Sequence, residues 1–200
     1  MSQTTPNRWF AQHSVVFQSK NPYSLSMNPI MTPRLRLVPA TVDLVRLEIE
    51  NLSEFFGHLG VELIPDWPSE NLAGVLPFFL EQLKKDPSLV GWLAWYWILD
   101  APSGNQLVGG GGFKGAPCKG VVEVGYETRV SHRRRGYATE AVGSQVAWAL
   151  GHPDVDRVIA QTRSDNQGSL GVLGKLKFVQ VEPGSEVGLL RFERTCLDEA

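Results

Sequence analysis

The sequence predicts a mixed α/β domain, and three observations support that prediction. Apolar runs with the two-residue period of strands occur along the chain together with runs that have the period of helices. The second half contains two successive strand–helix units, which are typical of an α/β chain. The 200 residues, 42% of them hydrophobic, suit one globular domain with a full core.

The first third of the chain predicts one strand and two helices. Residues 34–38 alternate charged and apolar side chains, which is typical of a strand with one solvated face. Thr41 caps a helix that runs to about Asn51, and after an intervening loop Ser69 caps a second helix. Pro77 lies inside this second helix, so we expect a kink or a break there.

The rest of the chain predicts a hairpin, four further strands and two helices. In chain order these are strands at 92–99, 107–113 and 121–130, a helix at 138–150, a strand at 157–162, a helix at 167–176, and strands at 178–181 and 189–195. The elements together give one mixed sheet flanked by helices.

The N-terminal residues differ from the remainder in composition. Residues 1–31 are polar and irregular, with prolines at Pro6, Pro22 and Pro29. We therefore predict an N-terminal arm over 1–31 and one folded domain over 32–200.

Charge and hydropathy argue against several classes of function. The formal net charge of −2 and the pI of about 6.1 give no general attraction to nucleic acids or anionic membrane surfaces. No apolar run reaches the ~18 residues of a membrane span, and the N-terminus lacks the features of a signal peptide. We therefore expect a cytoplasmic protein with no membrane partner, and a homodimer is compatible with the chain.

Cysteines and histidines give no sign of a metal site. Cys118 and Cys196 are far apart in sequence, so two reduced thiols are favoured over one disulfide, and no Cys/His spacing matches a zinc site. We expect no metal. The histidines are expected to be ordinary surface or loop residues: His13, His58, His132 and His152.

The most informative segment is 121–139, which reads as a strand, a basic turn and the start of a helix. The first N–H groups of a helix lack internal partners and the helix dipole is positive there, so a pyrophosphate can bind. Gly136 and Ala138 leave the approach open, and the arginines at 133–135 add fork-shaped donors. From these residues alone a solvated basic turn is an equal alternative, whereas a nucleic-acid patch is disfavoured because no aromatic residues are interleaved.

The same segment resembles a known family. Arg133, Gly136 and Ala138 fit the acyl-CoA signature of the GNAT acetyltransferase superfamily, which is Gln or Arg, two residues, Gly, any residue, then Gly or Ala. The similarity spans residues 32–178 and is strongest to the branch that contains ribosomal-protein N-terminal acetyltransferases.

A second family element lies further along the chain. The run Asn166-Gln-Gly-Ser resembles the family's Asn-x-x-Ser, and the run that ends at Phe178 resembles its Glu-Lys-Leu-Gly-Phe. Gly174 stands in place of the usual Glu and Lys177 in place of the usual Gly. These departures bear on local packing more than on chemistry.

The resemblance implies a fold, a cofactor and a reaction. The fold is the GNAT acyl-CoA N-acyltransferase fold, a mostly antiparallel central sheet that splays apart at the cofactor. The reaction is direct attack of a primary amine, either a protein N-terminus or a small amine, on acetyl-CoA. The implied cofactor-binding residues are Val130, Arg133, Arg134, Arg135, Gly136, Tyr137, Ala138, Thr139 and Asn166.

A different nucleotide motif is present by chance. Residues 110–115 fit the dinucleotide-binding pattern G-x-G-x-x-G, but that pattern needs a helix straight after the loop. Here a loop and then a strand follow, so we expect no nucleotide role for these glycines.

An amine attacks only when it is neutral, so the enzyme needs a proton acceptor. Glu123 is the first choice, because it lies on the strand before the basic turn and the family often has its base at about this position. Glu127 shares its strand face and is the rival. The family's oxyanion donor is a backbone N–H, here around Thr128 to Val130.

The leaving thiolate also needs a donor. Many family members use a tyrosine on the later helix, but the matching residue here is Leu173. The ribosomal-protein branch suggests Ser169 instead, and a serine that only bonds locally at the helix start is an equal alternative. Asn166 would contact the pantetheine arm, cap the helix, or do both.

The acceptor site is the least specified part. The family usually builds it from the first two helices, here about 51–83, together with the last hairpin, and the candidates are Phe55, Phe56, His58 and Trp67. Two other classes compete with the enzyme: a catalytically silent CoA-binding regulatory or interaction module, and an RNA-associated protein that uses the basic turn.

Overall fold

A computed structural model describes residues 28–102 and 104–195. The strands are β1 (Ile30–Met31), β2 (Leu35–Pro39), β3 (Trp95–Leu99), β4 (Gln106–Phe113), β5 (Val121–Thr128), β6 (Arg157–Arg163), β7 (Val179–Pro183) and β8 (Leu189–Thr195). The α-helices are α1 (Val42–Glu50), α2 (Leu52–Leu59), α3 (Glu70–Lys85), α4 (Tyr137–Leu150) and α5 (Gln167–Lys175). None of the helices in these ranges is long and apolar enough to cross a membrane.

The strands form one sheet in the order β1-β2-β3-β4-β5-β6-β8-β7. Every neighbouring pair is antiparallel except β5 and β6, which are parallel. Their pairing stops at Val124 and Ala160, although both strands continue beyond those residues. The second half of β5 therefore separates from β6, and the expected mixed, mostly antiparallel sheet with a splayed centre is confirmed.

Each face of the sheet carries its own core. One core contains Trp95 and Trp97 of β3 and the buried face of α4, including Val142 and Val146. The other contains residues of α1, α2 and α3, such as Phe55, packed against the opposite face of the sheet. Alternate residues of a strand point to opposite faces, so the apolar run of β3 supplies both cores.

Helix α2 lies where the sequence predicted a loop. The Asn51 side chain caps it by accepting a hydrogen bond from the Glu54 N–H, and Gly60 ends it in the left-handed conformation at φ +67°. Its eight residues bury Phe55, Phe56 and Leu59. Its shortness and its start directly after α1 hid its periodicity in the sequence.

Of the kink or break predicted at Pro77, the break does not occur, since α3 runs without interruption through that residue. The exposed proline lies opposite the buried residues Leu76, Phe79 and Leu83. Their packing offsets the hydrogen bond that a proline removes from a helix interior.

Other predicted features sit close to their expected places. Most predicted strand and helix bounds differ from the observed ones by one or two residues, and the first strand of the hairpin starts at Trp95 rather than at Trp92. Ile30 and Met31, assigned to the arm, pair with β2 as a short edge strand. Cys118 is an exposed free thiol, whereas Cys196, His13 and the arm before residue 28 lie outside the described residues.

Candidate active site

A cavity of about 900 Å³ lies where β5 separates from β6. Its wall has two chemically different parts, which we call the loop end and the aromatic end. The loop end is formed by Arg133, Arg134, Gly136, Tyr137, Ala138, Thr139, Asn166 and Ser169. The aromatic end is formed by Trp67, Asn71, Leu72, Val75, Phe79, Leu93, Tyr96, Gly110 and Glu127.

The loop end presents the start of α4 to the cavity. Gly136 precedes the helix at φ +83°, a conformation that only glycine adopts without strain, and no described side chain caps the helix. The first N–H groups of α4 therefore have no helical partner and can meet an anion. The positive end of the helix dipole and the exposed guanidinium groups of Arg133 and Arg134 favour the same ligand.

Arg34, on the segment before β2, holds this loop in place. Its Nη1 donates to the Arg135 carbonyl at 3.0 Å and its Nε donates to the Glu140 carboxylate at 2.6 Å. Its guanidinium lies 4.8 Å from the centre of the Tyr137 ring. Burial opposes ionisation of Glu140, but hydrogen bonds from Thr32 and Arg34 outweigh it and lower the pKa of that carboxyl. The loop is thus fixed from outside the cavity.

The first turn of α5 closes the other side of the loop end. Asn166 caps α5, because its Oδ1 accepts from the Ser169 N–H at 3.1 Å, and its Nδ2 donates to Ser169 Oγ at 3.1 Å. The Ser169 hydroxyl accepts that bond, so its own proton is available to a group in the cavity. Tyr126, which the sequence interpretation did not single out, reaches across from β5, and its hydroxyl lies 3.4 Å from the Ser169 carbonyl.

The two candidate carboxylates of β5 occupy different surroundings. Glu127 lines the cavity and pairs in register with Gly110 on β4. Glu123 is outside the cavity wall, where its carboxylate forms an ion pair with Lys114 and accepts two hydrogen bonds from Gln161 at 3.2 Å. Among the described residues, no ion pair or hydrogen bond engages the Glu127 carboxylate.

The aromatic end is built on a buried carboxylate. Glu48 of α1 accepts a hydrogen bond from Trp67 Nε1 at 2.8 Å through one oxygen and from the Tyr96 hydroxyl through the other. All three residues are buried. Burial raises the pKa of Glu48 from 4.5 to about 7, although both hydrogen bonds oppose that change. No local pattern in the sequence points to this cluster, since its members come from α1, a loop and β3.

The loop that carries Trp67 is anchored to β5. Asp66 forms an ion pair with Arg129, whose Nη1 also donates to the Leu107 carbonyl at 3.1 Å. The hydrogen bond from Arg129 lowers the pKa of Asp66. Trp67 is therefore held at the cavity by its neighbour as well as by Glu48.

His132 lies in the short turn that connects β5 to α4, so it is a loop histidine as expected, but it is not on the surface. It is buried in the cavity wall, with Nε2 3.0 Å from Gln106 Oε1 and Nδ1 2.9 Å from Ser131 Oγ. Burial, helped by the charges of Arg129 and Arg135, lowers its pKa. The imidazole is therefore neutral at neutral pH.

The structure brings most of the predicted site residues together. Seven of the nine predicted cofactor residues are in the wall, as is Ser169. Within the described part of the chain, the wall omits Val130, Arg135 and Glu123. Val130 is exposed, and the neighbouring Arg129 N–H, in the segment expected to stabilise the oxyanion, already donates to the Val108 carbonyl at 3.0 Å.

The remaining predicted features take other places. Phe55 and Phe56 belong to the core of the α1–α3 face and His58 is exposed, so of the four acceptor candidates only Trp67 lines the cavity. The glycine-rich run lies within β4, with no helix after it, as the rejection of a dinucleotide motif requires. No group of three or more His, Cys, Asp or Glu side chains within 28–102 and 104–195 is placed to hold a metal ion.

Comparison with known proteins gives the family. The acetyltransferase (GNAT) domain profile matches residues 34–179. The uncharacterized N-acetyltransferase YjdG of Bacillus subtilis (strain 168) is 35% identical over 149 residues, which cover 74% of this chain and 88% of that protein. The chain therefore belongs to the GNAT acetyltransferase family and is an acyl-CoA-dependent acetyltransferase.

Solved structures show the same fold. RimJ of Mycobacterium smegmatis, in complex with CoA-disulfide, is 18% identical with a TM-score of 0.57 over 86% of this chain and 88% of that one. The ribosomal-protein-S5-alanine acetyltransferase of Vibrio fischeri is 15% identical with a TM-score of 0.55 over 84% and 96% of the two chains. At these identities the likeness concerns the fold alone. The proteins that share the fold include ribosomal-protein acetyltransferases, the branch that the sequence resembles.

Proposed function

We propose that this protein transfers an acetyl group from acetyl-CoA to a primary amine by direct attack in a ternary complex. The observation that carries the proposal is the start of α4, whose uncapped N–H groups face a cavity opened by the separation of β5 and β6. A pyrophosphate fits the loop end, because Gly136 has no side chain there and two arginines stand beside it. The pantetheine arm then runs along Asn166 toward the aromatic end.

We assign proton removal from the amine to Glu127, with Glu123 as the alternative. Paired residues of neighbouring strands share a face, so Glu127 lies beside Gly110 at the aromatic end. Its carboxylate has no competing partner among the described residues, whereas the Glu123 carboxylate is held by Lys114 and Gln161. A carboxylate that is free and next to the acceptor is the better proton acceptor.

We assign stabilisation of the leaving CoA thiolate to Ser169. The new bond forms between the amine nitrogen and the acetyl carbon, and the carbon–sulfur bond breaks. The amine proton passes to Glu127, and the CoA thiolate, which accepts a hydrogen bond from the Ser169 hydroxyl, takes up a proton from water. The Ser169 hydroxyl has its own proton available, because its oxygen accepts from Asn166. The Tyr126 hydroxyl lies near the same turn and is the second donor of this region.

The experiment that tests the proposal follows release of the CoA thiol when the protein is mixed with acetyl-CoA and a panel of primary amines. We expect Glu127→Gln to lower kcat by about a hundredfold, in line with loss of a general base, while acetyl-CoA still binds. The matched variant Glu123→Gln should keep most of the rate. If Glu123→Gln loses the rate and Glu127→Gln keeps it, the two roles are reversed.

The same experiment distinguishes the competing class. A catalytically silent CoA-binding module would bind acetyl-CoA yet release no thiol with any amine. That result would contradict the proposed reaction and favour the module.

A further inference from the structure

The aromatic end of the cavity has a shape and a charge that select its ligand. Leu72, Val75 and Phe79 lie three and four residues apart on α3, so they form one apolar strip along the cavity. Trp67 and Tyr96 are also in the wall of this end. The same cavity wall includes Gly110, Gly111 and Gly112 of β4.

Gly110 gives this end a flat floor. A Cβ built on Gly110 would lie 3.7 Å from the edge of the Trp67 ring, in ordinary contact, and 3.1 Å from the Trp95 carbonyl. A side chain larger than alanine would therefore grow into the space beside the indole. The glycine leaves a slot bounded by the Trp67 ring and by bare backbone, which suits a flat or branched apolar group.

Glu48 fixes the walls of the slot and does not face the ligand. It is 2% exposed and both of its oxygens accept hydrogen bonds, one from Trp67 and one from Tyr96. It is a positioning residue, because it locks the orientation of two aromatic rings that line the cavity. A charge on the ligand cannot use this carboxylate without displacing those rings.

The charged side chains of the cavity wall limit the number of ammonium groups that a bound ligand can carry. Among the described lining residues, Glu127 is the one carboxylate, while Arg133, Arg134, Lys114 and Lys175 are cationic. One ammonium group at Glu127 is therefore matched, and a second would lie against apolar side chains or near like charges. Burying an unpaired charge is strongly unfavourable.

We infer that the acceptor is a monoamine whose amino group is attached to an apolar or aromatic group, and not a polyamine or an aminoglycoside. The inference rests on the proposed function, since it names the acceptor of that same site. Two sources share this chemistry: a free arylalkyl or branched alkyl amine, and the N-terminus of a peptide whose first side chain is apolar.

The test compares kcat/KM for five acceptors: 2-phenylethylamine, ethylamine, spermidine, a peptide that begins with phenylalanine and the same peptide beginning with serine. We expect 2-phenylethylamine to exceed ethylamine and spermidine by about tenfold or more, because burial of a few carbons in a fitted slot gives discrimination of this size. A preference for the phenylalanine peptide over 2-phenylethylamine would identify the peptide source, and the reverse would identify the free amine. Spermidine equal to or better than 2-phenylethylamine would overturn the inference.

A charge introduced into the strip gives a second, gain-of-function test. Val75→Glu places a carboxylate in the wall, so we expect it to raise spermidine kcat/KM and lower that for 2-phenylethylamine, each by about tenfold. The matched control is Ala73→Glu, which adds the same charge to an exposed position of α3 outside the wall. Equal effects of the two variants would contradict a selective slot.

Acetyl-CoA binding separates failure of this inference from failure of the proposed function. If acetyl-CoA raises the melting temperature and some amine is acetylated, but without preference for the apolar monoamines, the slot assignment alone is wrong. If acetyl-CoA binds and no amine of the panel is acetylated, the proposed reaction fails and the acceptor class fails with it.

Discussion

The two ends of the cavity offer a ligand different kinds of interaction. The loop end offers backbone N–H groups, a helix dipole and guanidinium groups, all of which act on charge. The aromatic end offers indole, phenol and aliphatic surface, and its one buried carboxylate is used to hold two rings. Under the proposed function, this difference lets the loop end hold a polyanionic donor while the aromatic end, which receives the acceptor, does not attract the same chemistry.

The two ends also differ in how they are held in place. The loop end is fixed by polar contacts of Arg34 at the protein surface, where solvent weakens each of them. The aromatic end is fixed by a cluster of buried hydrogen bonds, whose loss leaves polar groups without partners. Loss of the contacts that hold the aromatic end should therefore appear in stability, and loss of the Arg34 contacts that hold the loop end should appear in cofactor affinity.

The largest expected effect is the pH dependence that Glu48 gives to stability. Burial raises its pKa from 4.5 to about 7, which corresponds to about 3 kcal/mol. As pH rises through this window the unfolded chain loses the proton first, so stability falls and the loss is complete above the folded pKa.

Urea unfolding of the wild type and Glu48→Gln from about pH 4 to about pH 8 measures this effect. Glutamine does not titrate, so the free energy of unfolding of the variant should gain about 3 kcal/mol relative to wild type across the range. Parallel pH profiles of the two proteins would show that Glu48 does not titrate with a raised pKa.

The next effect concerns the leaving group at the loop end. Ser169→Ala removes a hydroxyl that lines the cavity and whose proton is not used in the hydrogen bond from Asn166, so we expect kcat to fall by about a hundredfold with little change in the KM for acetyl-CoA. Tyr126→Phe is the comparison variant and should lower kcat by less than about tenfold. If the tyrosine variant shows the larger loss, the phenol is the proton donor.

The smallest effect tests the support of the loop. Arg34→Met removes the contacts to Glu140, Arg135 and Tyr137, so the KM for acetyl-CoA should rise by about tenfold, or ~1.4 kcal/mol, with kcat nearly unchanged. Arg46→Met is the matched control, because Arg46 forms its ion pair with Asp43 on the surface of α1. An equal rise in both variants would mean that the loop does not depend on Arg34.

The loop end could be predicted from sequence because its chemistry is local. A strand, a basic turn and a helix start follow one another within 121–139, so spacing alone places Arg133, Gly136 and Ala138 at one helix terminus. The alternation of residues in β5 likewise fixed which face carries Glu127. These features depend on the order of residues within one segment, so they do not depend on how the rest of the chain packs.

The aromatic end could not be predicted because it is assembled from distant segments. Glu48, Trp67 and Tyr96 meet through the packing of α1, a loop and β3, and no spacing in the sequence records that meeting. Glu48 reads as a solvated helix residue, and only tertiary packing buries it. The ion pair of Glu123 with Lys114 also forms only in the folded structure, so the strand pattern does not predict it.

The most direct test of the account is thermal unfolding with and without saturating acetyl-CoA, on the wild type, Gly136→Glu and Gly57→Glu. At about 100 times its dissociation constant the ligand should add ~2.7 kcal/mol, a rise of about 5–10 °C for a chain of this size. Gly136→Glu should abolish the rise, because it strains a residue at φ +83° and puts a carboxylate where the anion binds. Gly57→Glu adds the same charge to an exposed helical glycine in open space and should keep the rise. No rise in the wild type, or an equal rise in Gly136→Glu, would contradict acetyl-CoA binding at the start of α4.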